Sequence, residues 1–95
     1  MKLQQQARHL LMQEAGKIIK DADVFSESTM FERDEIDPEM LEPVKIDTLP
    51  EQLIVNTFTS GEYTVYMIQP VNDELVLVTG MLKDVGEVLW VRMEG

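Results

Sequence analysis

Cysteine is absent from this chain of 95 residues, and histidine occurs once, as His9. Without thiols there is neither a disulfide framework nor a thiolate metal site, and a reducing compartment, by default the cytoplasm, is the expectation. A single imidazole leaves any zinc site to be built from carboxylates, which suit hard cations better. The acidic run "ERDEIDPE" (32–39) lacks the loop glycine and ligand spacing of a calcium hand, so neither a metal nor a cofactor is expected. Gly-rich phosphate loops are missing, and the serines of "FSESTMF" (25–31) have no glycine elbow or partner histidine beside them. His9, between Arg8 and Leu10 in a helical stretch, reads as a plain helix-surface residue. No catalytic residue is assigned, and a non-enzymatic protein is the expectation. Long apolar runs are missing too. No segment approaches the ~18 apolar residues of a membrane span, and "MKLQQQARHLLMQEAGK" has neither the apolar run nor the cleavage site of a signal peptide. No membrane partner is expected.

Basic residues are scarce: eight Lys and Arg stand against 18 Asp and Glu, a net charge of −10. A polyanion with few cations cannot displace the counterions of a nucleic acid, which argues against direct DNA or RNA binding and for a basic partner. The excess is local. Residues 21–51 hold eleven carboxylates against Arg33 and Lys45, a net of −9, whereas the other 64 residues come to −1. Charge meant only for solubility would not have to be confined to one third of the chain.

What is present is patterned. A chain of this length supports one domain, residues 1–95, that buries about 60 to 65% of its unfolded surface. Apolar residues at 3, 7, 10, 11, 15, 18 and 19 follow helical spacing, with Leu3, Ala7, Leu10, Leu11 and Ile18 as the stripe and Gly16 near the end. Residues 24–30 alternate, with Val24, Ser26, Ser28 and Met30 on one side and Phe25, Glu27 and Thr29 on the other; so polar a strand belongs at a sheet edge. In "IDPEMLEPV" (36–44), Asp37 is a helix cap, Pro38 suits the first helical position, and Pro43 limits the helix to one or two turns. Four β-branched and aromatic runs follow, at 52–59, 62–69, 74–83 and 87–93, separated by turn residues. The predicted fold is α+β: an antiparallel five-stranded sheet, one edge strand plus a four-strand meander, with one long N-terminal helix and one short helix.

A row of carboxylates on an edge strand and a short helix can imitate the spaced charge of a DNA backbone and be steered to a DNA-binding cleft. The strings "EAGK" (14–17), "ES" (Glu27, Ser28), "PEMLEPV" (38–44) and "PEQLIVNT" (50–57), in this order and over most of the chain, resemble the phage uracil-DNA glycosylase inhibitor family. The chain departs from the family by about four additional residues between Gly16 and Glu27, by the insertion "FERDE" (31–35), and by Pro43 where the family has a helical glutamate.

The resemblance implies a partner, uracil-DNA glycosylase, met in the bacterial cytoplasm through its basic DNA-binding cleft. Such an enzyme grips phosphates, flips uracil out of the duplex and presses an apolar side chain into the vacated stack. The strand at Glu27 and Ser28 is then expected to accept hydrogen bonds from the phosphate-gripping loops, with Glu39 and Glu42 adding charge nearby. An apolar pocket is expected to hold the intruding side chain. Its candidates are Met40, Leu41 and Val44 with Val55, Met67 and Val76, or, in the other strand register, Tyr66, Ile68 and Leu77. Two rival readings are another acidic phage inhibitor of a host DNA-binding or defence protein, and a small structural domain that oligomerises through an exposed sheet face around "YTVYMI" (63–68) and "LVLV" (75–78).

Overall fold

A computed structural model describes residues 2–84 and 86–94, Lys2 by its backbone alone. Helix α1 spans Lys2–Ala15 and buries the face carrying Ala7 and Leu11. It stops where Gly16 takes a positive φ of 68° and returns its N–H to the Met12 carbonyl at 2.9 Å, a conformation that costs glycine little. The turn resets the periodicity. Ile18, expected on the helical stripe, lies outside the helix and is 86% exposed, while Ile19 is buried in its place.

Five strands form one antiparallel sheet in the order β1-β2-β3-β4-β5: β1 Phe25–Glu32, β2 Gln52–Ser60, β3 Tyr63–Pro70, β4 Val78–Lys83 and β5 Glu87–Met93. The α+β architecture with its edge strand and meander is therefore as expected. β4 is shorter than the predicted 74–83. The chain after β3 first turns outward, where Asp73 Oδ1 accepts from the Leu75 N–H (3.0 Å) and Gln69 Nε2 donates to the Glu74 carbonyl (2.6 Å). A bulge where β5 passes Met81 and Leu82 sets Trp90 opposite Met81 and Val88 opposite Leu82. It turns both Leu89 and Trp90 toward the helix side, where the Trp90 indole donates to Glu14 at 3.2 Å.

The sheet is covered on both faces by different means. On one, Phe58, Val65, Met67 and Met81 pack against Ala7 and Leu11 of α1 and against Ile19 and Val24. On the other, Leu53, Tyr66, Ile68 and Val78 pack against Leu41, Val44 and Leu49 of the segment joining β1 to β2. That segment contains no helix of normal length. The short helix expected at 38–44 is one 3-10 turn, Pro38–Met40, between similar turns at Arg33–Glu35 and Ile46–Thr48. Asp37 caps as predicted, accepting from the Glu39 N–H at 3.0 Å, but Pro43 follows a cis peptide bond and the chain turns instead of winding on.

Local bonds hold this irregular cover in place. The Arg33 N–H donates to the Glu51 carbonyl (2.7 Å) and its guanidinium to the Leu49 carbonyl (2.8 Å), joining the two ends of the segment. Glu32 and Glu35 form a reciprocal capping box, and the Val44 N–H reaches the Leu41 carbonyl at 2.7 Å. Burying Leu41, Val44 and Leu49 contributes roughly 1.5 to 3 kcal/mol each, which holds down a segment with little regular hydrogen bonding of its own. Among the described residues no helix is long and apolar enough to cross a membrane.

Candidate functional site: an acidic strand edge beside an apolar cleft

Among the described residues β1 pairs with β2 alone, so its outer row of backbone N–H and C=O groups has no strand partner there. Its register with β2 sets Glu27 opposite Thr57 and Ser28 opposite Asn56, and alternation sends the two side chains to opposite faces. Glu27 joins Phe25, Thr29 and Phe31 on the face covered by the irregular segment. Ser28 joins Ser26, Met30 and Glu32 on the helix side. The Ser28 hydroxyl donates to Asn56 Oδ1 at 2.6 Å, and the buried Asn56 amide donates to the Met67 carbonyl (3.2 Å) and to Gln69 Oε1 (2.8 Å). This polar row ties the edge strand to two inner strands and occupies the Ser28 proton, leaving its oxygen and the Glu27 carboxylate as acceptors.

The carboxylates of the acidic third are exposed, Glu27, Glu39 and Glu42 among them. Among the described residues only Asp21 of this third has an ion-pair partner, Arg8 at 3.1 Å. Arg33, the base nearest the cluster in sequence, spends its guanidinium on the Leu49 carbonyl. The field of the cluster is therefore offered outward, unscreened by internal pairing.

Between the edge strand and the 3-10 turns lies an apolar cleft of about 280 Å³. Met40 and Leu41 line it from above and Val55, Tyr66 and Ile68 from the sheet, with Phe31, Ile36, Thr57 and Leu82 completing the walls. Glu35 and Asp37 stand at its lining as the charged members. Thr57, the cross-strand partner of Glu27, belongs to the wall, so the acidic edge and the cleft are neighbours on one face.

Of the six apolar residues first assigned to the pocket, Met40, Leu41 and Val55 line it, and Val44 is buried in the same cluster without reaching the opening. Met67 and Val76 require correction. Met67 pairs with Asn56 and Thr79 and packs under α1, and Val76 packs against the same helix-side cluster. The other register applies, with Tyr66 and Ile68 in the wall and Leu77 packed on the adjoining cluster. Phe31, Ile36, Thr57 and Leu82 went unassigned. Phe31 was within reach, because it follows Glu27 by four residues and so shares its face; Leu82 comes from the fourth strand and carries no such signal.

Tyr66 is a titratable group whose chemistry the fold alters. Burial pushes its phenol up to about 12, and its hydroxyl donates to the Met40 carbonyl on the covering turn. Two larger depressions flank α1, of about 470 and 650 Å³; they mix polar groups such as Gln5, Gln6, His9 and Glu94 with apolar ones, Leu10 and Met67 in the first and Leu3, Leu75 and Val76 in the second. Among the described residues no group of three or more His, Asp or Glu side chains is placed to hold a metal ion. Comparison with family models, with curated proteins and with solved structures gave no match to this chain.

Proposed function

We propose that the protein is a DNA-mimicking inhibitor of uracil-DNA glycosylase, acting in the bacterial cytoplasm by occupying the enzyme's DNA-binding cleft. The observation that carries this reading is the juxtaposition of a free, acidic strand edge with an apolar cleft on the same sheet face. Glu27, the Ser28 oxygen and the open backbone of β1 accept hydrogen bonds from the loops that otherwise grip phosphates. Glu39 and Glu42, on the turn that roofs the cleft, extend the negative field. The side chain that the enzyme presses into DNA enters the cleft among Met40, Leu41, Val55 and Ile68. Charge gives rapid, oriented encounter, and the desolvated anchor gives slow dissociation, which exposed charge alone supplies poorly.

The sequence resemblance supports the choice of enzyme, and the cleft favours this reading over a generally acidic inhibitor, which needs no apolar receptor. Of the residues that suggested oligomerisation through a sheet face, Val65, Tyr66, Met67, Ile68 and Val78 are buried, which counts against that reading, while Leu75 is exposed. Uracil release from DNA by a bacterial glycosylase tests the proposal. Inhibition at near-equimolar ratio, with unrelated glycosylases left active, is expected; full activity at large molar excess of this protein would eliminate it.

A further inference from the structure

Gly80 sits in the middle of β4, where glycine weakens a strand and where its backbone, unlike that of Gly16, Gly61 and Gly86, has no positive φ to explain the choice. Space explains it. Gly80 is the cross-strand partner of Tyr66, and a Cβ built there would overlap the Cζ, Cε2 and hydroxyl oxygen of that ring. The Tyr66 ring thus lies across β4 over the bare glycine backbone, and its far end reaches the Met40 carbonyl in the covering turn.

We infer that Tyr66 and Gly80 act as a pair of positioning residues that hold the cleft open and set the shape of the side chain it accepts. Laid over Gly80, the ring forms wall; displaced from Gly80, it has the cleft as the adjoining free space. Its hydroxyl links the sheet to the Pro38–Met40 turn at a point where no backbone ladder connects them. Without that donor the turn keeps its apolar contacts through Leu41 but loses the bond that fixes its height above the sheet.

Methyl NMR with indole as a neutral apolar probe tests this without any partner. In the wild type, indole should give saturable shifts of the Ile36, Leu41 and Ile68 methyls. Gly80→Ala should weaken indole binding at least fivefold, because the ring is pushed into the cleft. The two proteins are compared where circular dichroism shows both fully folded, so that lost stability does not read as lost binding. Absence of saturable shifts in the wild type, or binding by folded Gly80→Ala within twofold of wild type, overturns the inference. Should Gly80→Ala not fold, Tyr66→Phe carries the test: amide exchange at Leu41 and Val44 should accelerate at least tenfold while that of Leu11 is unchanged, and unchanged exchange at all three overturns it. The effect on a partner rests on the proposed function. With a bacterial glycosylase, Tyr66→Phe should dissociate about tenfold faster and associate within twofold of wild type. A wild type that binds indole and ignores the enzyme counts against the proposed function alone.

Discussion

The two faces of this sheet are closed by covers of opposite character. One is a 14-residue helix that buries Ala7 and Leu11 against Phe58, Val65, Met67 and Met81. The other is a run of three-residue turns that touches the sheet through a few side chains and is otherwise held by its own caps and by Arg33 and Tyr66. A regular helix brings a continuous ridge to the sheet, and ridges pack to interior density. Separate turns bring isolated knobs, and the space between knobs is the apolar cleft. The irregular cover is also where most of the carboxylates of the acidic third are, at exposed positions between its few buried side chains, Leu41, Val44 and Leu49. Receptor and field thus arise from one structural choice.

Truncating a leucine under each cover should break this comparison most visibly. Leu11→Ala, beneath the helix, and Leu41→Ala, beneath the turns, each remove a fully buried side chain and should each lower stability by about 3 kcal/mol in urea unfolding. Only Leu41→Ala should also weaken binding to the glycosylase when both variants are compared fully folded. Equal binding losses would mean that the cleft plays no separate part.

Glu27→Ala should cost roughly 2 to 4 kcal/mol of binding with no change in circular dichroism, since truncating a desolvated carboxylate leaves the enzyme's donors unpaired. Glu62→Ala lies outside the acidic third and is the control, losing about 0.2 to 1 kcal/mol at most because an exposed carboxylate contributes little. Equal losses in the two variants would reduce the acidic edge to net charge.

Alkaline unfolding sharpens the contrast from the Tyr66 side. Below pH 10, the ordinary phenol value, folded and unfolded chains both keep the proton and the residue adds no pH dependence. Between 10 and about 12 the unfolded chain releases it while the folded chain retains it, so stability falls as pH rises through that window. Tyr66→Phe should be less stable at neutral pH yet show a shallower decline there, measured by urea unfolding at each pH. An unchanged slope would place the phenol in solvent.

Salt should produce the smallest change, and on one rate only. Association should slow as ionic strength rises, because the field of residues 21–51 is screened within ~10 Å at 0.1 M. Dissociation should respond weakly. A dissociation rate as salt-sensitive as the association rate would show that no apolar anchor is engaged in the cleft.

Much of the fold was legible because local periodicity and local chemistry carried it. Alternation placed the edge strand with Glu27 and Ser28 on opposite sides, β-branched runs placed the meander, and Gly16 ended the helix. The short helix at 38–44 was misjudged by a local signal: Asp37 and Pro38 start a turn equally well whether it continues or not, and Leu41 found burial by leaving the helical path. Ile18 and Ile19 were exchanged because helical spacing lost its meaning once Gly16 had turned the chain.

The cleft is the part that the chain's pattern left open. In Val65, Tyr66, Met67 and Ile68 every residue is apolar, so a period of two divides them into two faces without saying which face lies under the helix. Met67 and Tyr66 were interchangeable on that basis, and only the docking of α1 against Phe58, Val65 and Met81 assigned Met67 to one side and Tyr66 to the other. The sequence by itself determined the strands, their alternation and the placement of charge along the chain, since these depend on neighbours a few residues apart. Tertiary packing decided which face became the cleft, brought Leu82 to its wall and laid the Tyr66 ring over Gly80, since each of these joins residues that share no local pattern.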